Sequence, residues 1–219
     1  GVGGDPHGGW VVSSRPRALV IGGSVGGLFA AHLLSSIGWD VQVFERSAGD
    51  LASRGAGIGA PDALYAVMQR VGVPLDASDG IRIRSRRCLD RNGNVVAEVP
   101  GGGRATAWSR VYRALKDALP ADRYHFNRPV TRVDQDARGV IAEFTDGART
   151  EGDLLIAADG LDSTVRRQLL TSVVPRYAGY VAWRGAVAGR DTPTEIQTRV
   201  FEDLLFCCPD TESLPAMRN

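Results

Sequence analysis

Apolar positions in the first fifth of the chain change their spacing twice. Residues 18–21 (Ala-Leu-Val-Ile) form an unbroken apolar run, the pattern of a strand buried on both faces. Leu28, Phe29, Ala31, Leu33, Leu34 and Ile37 then recur every three or four residues, which predicts a helix with an apolar stripe, ended by Gly38. Val41, Val43 and Phe44 predict a second strand that closes on Glu45. Further on, Leu64, Val67, Met68 and Val71 mark a helix whose first turn holds Pro61. Residues 81–99 read as a hairpin, with Ile81 and Ile83 alternating with Arg82 and Arg84 and Asn92-Gly93 as the turn. Val111, Leu115 and Leu119 are spaced for a helix over 108–119.

Two or three antiparallel strands follow, including 130–133 and 140–144, with a turn at Asp146-Gly147. Residues 153–159 are another buried strand ending in Asp159-Gly160, and Ser163, Val165 and Arg166 open a helix that runs to Leu170. From Tyr177 the chain reads as strands, most clearly at 180–185 and 198–207. Residues 1–14 are glycine-rich without periodicity, the mark of a disordered extension, and 214–219 carry no pattern.

Between the first strand and the first helix stands Gly22-Gly23-Ser24-Val25-Gly26-Gly27. Strand, glycine turn, helix, strand and acid together form a dinucleotide-binding unit. The turn brings backbone N–H groups close to a pyrophosphate, and the helix N-terminus adds partial positive charge. Glu45, roughly 20 residues past the turn, stands where a ribose-binding acid belongs. In the pattern G-x-G-x-x-G, Gly22 and Gly27 fit, but Ser24 replaces the second glycine. Its Cβ crowds the phosphate while its hydroxyl is able to donate to it, and Gly23 and Gly26 keep the turn pliant. The bland alternative is an ordinary βαβ unit with a glycine-rich turn.

Composition narrows the class. The chain has 219 residues, of which 43% are hydrophobic and 23% charged, as in a soluble globular protein. A net charge of +1 gives no electrostatic case for nucleic acid or an anionic membrane. No apolar run approaches the ~18 residues of a membrane span. Lys116 is the only lysine against many arginines, which suggests a high-GC bacterial source. Cys88, Cys207 and Cys208 make an odd set for disulfides, so a reducing, cytoplasmic setting is expected. No Cys/His spacing suits a metal.

Three further groups bear on function. Arg54-Gly55-Ala56-Gly57-Ile58-Gly59 follows the second strand, so Arg54 is either a phosphate-facing arginine or a solvated loop residue. Asp159, at a strand's C-terminal end, either faces the ligand crevice or caps the next helix. Arg82, Arg84, Arg86 and Arg87 would suit a 2′-phosphate, but the wet face of a strand is the better reading. His7, His32 and His125 have no supporting context, and His32 reads as a polar position on the first helix.

The glycine turn with Glu45-Arg46, the Arg54-Gly-Ala-Gly-Ile segment, and Asp159-Gly160-x-x-Ser163-x-Val165-Arg166 follow one another as in one family. The chain resembles the FAD-dependent aromatic hydroxylases of the p-hydroxybenzoate hydroxylase type. Gly-Gly-Ser-Val-Gly-Gly-Leu and residues 177–185 look most like the 2,6-dihydroxypyridine hydroxylase branch. The resemblance covers about residues 17–209 and rests on the motifs jointly. It implies that Gly22, Gly23, Ser24, Val25, Gly26 and Gly27 hold the FAD pyrophosphate, Glu45 the adenosine ribose, and Arg46 lies beside the adenine. Arg54, Gly57 and Ile58 would run along the flavin, and Val130 would meet the adenine through its backbone. Asp159-Gly160 matches a motif linked to FAD and NAD(P)H. Trp108 stands where many relatives have an FAD-contacting arginine, leaving Arg113 or Arg110 as replacements.

The family's second Gly-Asp motif does not occur after Arg184, so the resemblance implies an N-terminal half. The expected fold is α/β: a Rossmann-like, glutathione-reductase-type FAD domain over 15–176 and the start of a β-rich substrate domain over 177–219. The 81–106 hairpin is assignable to either. The expected activity is hydroxylation of an electron-rich aromatic or N-heteroaromatic ring with FAD, NAD(P)H and O2, with no catalytic residue nominated. The alternatives are an inactive FAD- or adenine-nucleotide-binding module and a Rossmann dehydrogenase using NAD. A small aromatic substrate is the expected partner, with a homodimer left open.

Overall fold

A computed structural model describes residues 15–76, 78, 80–101, 103–179, 181, 187–200 and 203–207. The extension at 1–14, most of the expected strand at 180–185, and 214–219 lie outside the described residues. In chain order the first elements are β1 (Arg17–Ile21), α1 (Val25–Ser36), β2 (Asp40–Phe44), β3 (Gly57–Ala60), α2 (Asp62–Arg70), β4 (Ile81–Arg82), β5 (Ser85–Leu89), β6 (Val95–Pro100), β7 (Arg104–Ala107) and α3 (Trp108–Asp117). They are followed by β8 (Tyr124–His125), β9 (Val130–Asp136), β10 (Gly139–Phe144), β11 (Arg149–Gly152), β12 (Leu154–Ala157), α4 (Thr164–Leu169), α5 (Thr194–Val200) and β13 (Asp203–Cys207).

The chain divides into two compact units: Gly1–Arg46 with Asp122–Val173, and Ser47–Ala121 with Val174–Asn219. The sequence reading draws one domain over 15–176, whereas these units group 47–121 with the residues from Val174 onward.

The first unit is built on a parallel sheet of order β12-β1-β2-β8. Its central strand is apolar without alternation because both faces are covered. Leu19 and Ile21 face a core shared with Phe44, Val130, Val133, Ala142, Phe144 and Val165. That core is closed by the antiparallel sheet β11-β10-β9 and by α4. On the other face, Val20 meets α1 at Gly27. Ala18, Leu19, Val20, Val41 and Val43 are fully buried, and each large member contributes about 1.5–3 kcal/mol.

The second unit holds two small sheets, β3-β7-β4 and β13-β5-β6. In the second of these β13 runs parallel to β5, and β5 pairs antiparallel with β6. Val111, Tyr112 and Leu115 of α3 are fully buried, as is Met68 of α2.

Several expectations need correction. Ile37 is not in the α1 stripe: it is the C-cap, 71% exposed, and the chain leaves the helix through Gly38 at φ +94°. His32, read as a polar position on the first helix, is buried. The hairpin is narrower than 81–99. It joins β5 to β6 around Asn92-Gly93, where the Asp90 carboxylate accepts the Asn92 and Asn94 N–H groups, while β4 pairs with β7. The run at 198–207 is not one strand, because α5 extends to Val200 before β13 begins. Among the described residues no helix is long and apolar enough to cross a membrane.

Candidate functional site

Parallel strands deliver their C-terminal ends to one edge of a sheet, and there the loops carry the chemistry. In the first unit β1 ends in the glycine turn, β2 in Glu45, and β12 in Ala158-Asp159-Gly160. The Gly22 N–H donates to the Phe44 carbonyl at 2.8 Å, and the Ala158 N–H donates to the Ile21 carbonyl at 2.7 Å. The three ends are thereby fastened side by side.

Three of the turn's four glycines leave no room for a side chain. Gly22 has φ +105°, and a Cβ on it would lie 2.3 Å from the Ala158 carbonyl oxygen. A Cβ on Gly23 would lie 2.1 Å from the Tyr124 hydroxyl, so Gly23 does more than keep the turn pliant. A Cβ on Gly27 would approach the Gly22 oxygen to 1.8 Å, whereas one on Gly26 would meet nothing within 4 Å.

Ser24 is the N-cap of α1, extended at φ −77°, and its side chain makes no cap hydrogen bond. Val25 begins the helix, and its first turn holds no acidic residue. The first-turn N–H groups therefore have no carboxylate or hydroxyl of their own helix end to satisfy them. An anion fits there, favoured by the helix dipole by roughly 0.3–1 kcal/mol and by each charge-assisted N–H bond by about 1.5–3 kcal/mol.

Glu45 is 5% exposed, and its carboxylate accepts the Gly23 N–H at 2.8 Å. The sequence marks this acid for a ribose, and the buried carboxylate also holds the turn. The Glu45 backbone bonds to the His125 carbonyl and to the Arg128 N–H, at 2.8 and 2.9 Å. This ties the connection leading to Val130 to the end of β2. Val130 begins β9 and is itself in the core, while Arg46 is exposed.

Asp159 adopts the capping role. Its Oδ2 accepts the Thr164 and Val165 N–H groups at 2.8 and 3.3 Å, and Ser163 accepts the Arg166 N–H at 2.9 Å. The Arg166 guanidinium reaches back to the carbonyls of Gly160 and Leu161, fixing a turn in which Gly160 has φ +79°.

The remaining candidate residues belong to the second unit. Arg54 ends a 3-10 turn, and Gly57 and Ile58 open β3, which pairs with β7. The Trp108 N–H donates to the Ala56 carbonyl at 2.9 Å. The Trp108 ring stacks on Tyr112 at 5.0 Å, and a Cβ on Gly55 would lie 2.3 Å from it. Trp108 thus supports the 54–58 segment from its own unit. Arg113 is exposed on α3. Sequence reasoning singles out neither Tyr124 nor Trp108 in these roles, because each depends on a partner far away in the chain.

Strand order, glycine turn and acid define a dinucleotide-binding α/β protein. Residues 15–198 match the FAD binding domain family, and the chain belongs to it. It is 38% identical over 172 residues to the 2,6-dihydroxypyridine 3-monooxygenase of Paenarthrobacter nicotinovorans, covering 78% of this chain and 43% of that protein. It is 35% identical over 183 residues to the FAD-dependent urate hydroxylase of Klebsiella pneumoniae, covering 78% of this chain and 47% of that protein. The structure of 2,6-dihydroxypyridine-3-hydroxylase from Arthrobacter nicotinovorans superposes with a TM-score of 0.78 at 31% identity, over 90% of this chain and 49% of the other. Klebsiella pneumoniae HpxO, in complex with FAD and uric acid, gives 0.60 at 30% identity, over 71% and 42%. The chain spans less than half the length of these relatives.

Proposed function

We propose that the first unit binds the adenosine-diphosphate part of FAD, and that the chain is the FAD-binding portion of a monooxygenase that hydroxylates an electron-rich aromatic or heteroaromatic ring with NAD(P)H and O2. The observation that carries this reading is the N-terminus of α1, which has neither a side-chain cap nor a first-turn acid and begins beside the buried Glu45. Ser24, Val25, Gly26 and Gly27 receive the pyrophosphate through backbone N–H groups, while Gly22 and Gly23, whose N–H groups are held by Phe44 and Glu45, shape the turn around it. Glu45 orients the ribose, with Arg46 and the Val130 backbone on the adenine side. Asp159 and Gly160 shape the neighbouring loop.

On this reading Arg54, Gly57, Ile58 and Arg113 serve the isoalloxazine end. A bound flavin supplies the electron transfer and oxygen chemistry. The chain's residues bind it, orient it and keep water from it, and an electron-rich ring reduces the need for a protein base. Relatives named for hydroxylating a dihydroxypyridine and urate support a small, electron-rich ring as substrate.

The test is to add FAD to the purified chain, and then NADPH with 2,6-dihydroxypyridine. Weak flavin binding is expected, and ligand-stimulated NADPH oxidation would show that this portion turns substrate over by itself. Flavin binding without any stimulation would favour a binding module, and direct use of NAD without flavin would favour a dehydrogenase.

A further inference from the structure

We propose that Tyr124 is a positioning residue for the pyrophosphate-binding turn: its hydroxyl sets the Gly23–Ser24 peptide so that the Ser24 N–H faces the ligand. This rests on the reading of the turn as the FAD pyrophosphate site.

The pattern G-x-G-x-x-G leaves the position of Gly23 open to any residue. In this chain it is not open. Tyr124 lies on β8, paired in register with Val43, and is buried. Its hydroxyl donates to the Gly23 carbonyl at 2.9 Å, while the Glu45 carboxylate takes the N–H of the same glycine at 2.8 Å. Both backbone polar groups of one residue are therefore held by side chains from the ends of neighbouring strands. The tyrosine occupies the space that a side chain would need: a Cβ on Gly23 would lie 2.1 Å from its oxygen and 2.5 Å from its ring carbon. The ring is seated in turn against Phe126, at 4.7 Å between centroids.

The consequence follows from peptide geometry. None of the described peptide bonds is cis. In a trans peptide the carbonyl and the following N–H point in opposite directions. A Gly23 carbonyl drawn toward Tyr124 therefore turns the Ser24 N–H away from β8 and out of the sheet. Ser24 is the extended N-cap, so its N–H joins those of the first turn of α1 in one concave set of donors. Without the hydroxyl this peptide is free to rotate, and one phosphate donor loses its aim. The phosphate contact suffers, not the adenine or ribose contact.

The experiment titrates FAD, ADP and adenosine into the full chain, into Tyr124→Phe and into Ser24→Pro, with a ligand-free melt of each. Proline suits the Ser24 φ of −77° but deletes the hydroxyl along with the N–H, so Ser24→Ala, which deletes the hydroxyl alone, is titrated beside it and its loss is subtracted. The expected result is FAD and ADP binding about fivefold to tenfold weaker in both variants, with adenosine changed by less than about twofold. The double variant should be no weaker than about twofold beyond the worse single variant, because both remove the same contact. Equal weakening of all three ligands by Tyr124→Phe would make it a structural residue and overturn the proposal. So would unchanged ADP affinity in Tyr124→Phe, or losses that simply add in the double variant. Failure of the unaltered chain to bind ADP or FAD would overturn the reading of the turn and this inference with it, a result distinct from the others.

Discussion

Gly27 lies against Gly22 so closely that a Cβ on Gly27 would sit 1.8 Å from the Gly22 carbonyl oxygen. This is where α1 leaves the turn, and the obstacle is backbone, which cannot swing aside. Gly27→Ala should destabilise the chain by about 1–3 kcal/mol or more, as overpacking does. Gly26 provides the contrast, since its Cβ position is open. Gly26→Ala should raise ligand-free stability by roughly 0.5–1 kcal/mol through helix propensity. It should also weaken FAD, because the added methyl stands where phosphate approaches. Denaturant melts and FAD titrations of the two variants check both halves, and FAD binding unchanged in Gly26→Ala would contradict the second.

Glu45 has two duties, so its variants should separate them. Glu45→Ala leaves the Gly23 N–H without its 2.8 Å acceptor. Stability should fall by about 1–3 kcal/mol, and FAD affinity by a further 1.5–3 kcal/mol or so. Glu45→Gln retains an oxygen for Gly23 and should restore most of the stability, yet leave FAD weak because the charge is gone. Full FAD affinity in Glu45→Gln would show that the carboxylate is structural only.

Asp159 and Ser163 together cap α4. Loss of an N-cap acceptor costs about 0.5–2 kcal/mol. Asp159→Ala and Ser163→Ala should each cost that much in a urea melt. If Asp159 serves only as a cap, FAD affinity will be lost no faster in Asp159→Ala than in Ser163→Ala. A selective loss in Asp159→Ala would assign the carboxylate to the ligand as well.

His125 gives the chain a pH dependence. Burial holds its imidazole below the usual value of 6.5, the positive charge of Arg128 adds to the effect, and Asp122 opposes it. The native state thus prefers neutral His125, whose ring stacks on Phe44 with Nε2 2.7 Å from the Gln42 amide oxygen. Above 6.5 both states are neutral and the full stability is present. As the pH falls below 6.5, the unfolded chain takes up a proton first, and stability declines. Asp40 acts in a separate window. Burial raises its pKa, but the Arg17 hydrogen bond and the charges of Arg123 and Arg17 outweigh this, so its contribution is lost only below the ordinary carboxylate value of 3.8. Melts at pH 7 and pH 5 should show a loss that His125→Asn reduces. An equal loss in the variant would place the titration elsewhere.

What the sequence made legible was local. β1, the glycine turn, α1 and β2 adjoin in the chain, so apolar spacing and glycine punctuation were enough to read them. The pairing of β12 with β1 joins segments more than a hundred residues apart, and its apolar run alone did not state the partner. β8 is two residues long and makes no pattern, yet it supplies Tyr124. β3 and β7 read Gly-Ile-Gly-Ala and Arg-Ala-Thr-Ala, too poor in β-branched residues to stand out as strands. Ile37 fitted the helical period but fell one step past the last turn, where no neighbour covers it. Glu45 and Asp159 were found by position, while the backbone groups they hold became visible only in the fold.

The central claim is that the turn at Gly22–Gly27 binds the diphosphate of an adenine dinucleotide. Calorimetric titration of the purified chain with ADP, repeated in the presence of saturating FAD, tests it most directly. The account predicts one ADP site per chain, occupied in competition with FAD and weakened at least about tenfold by Glu45→Ala. ADP binding that FAD does not displace, or FAD binding that is indifferent to both ADP and Glu45→Ala, would contradict it.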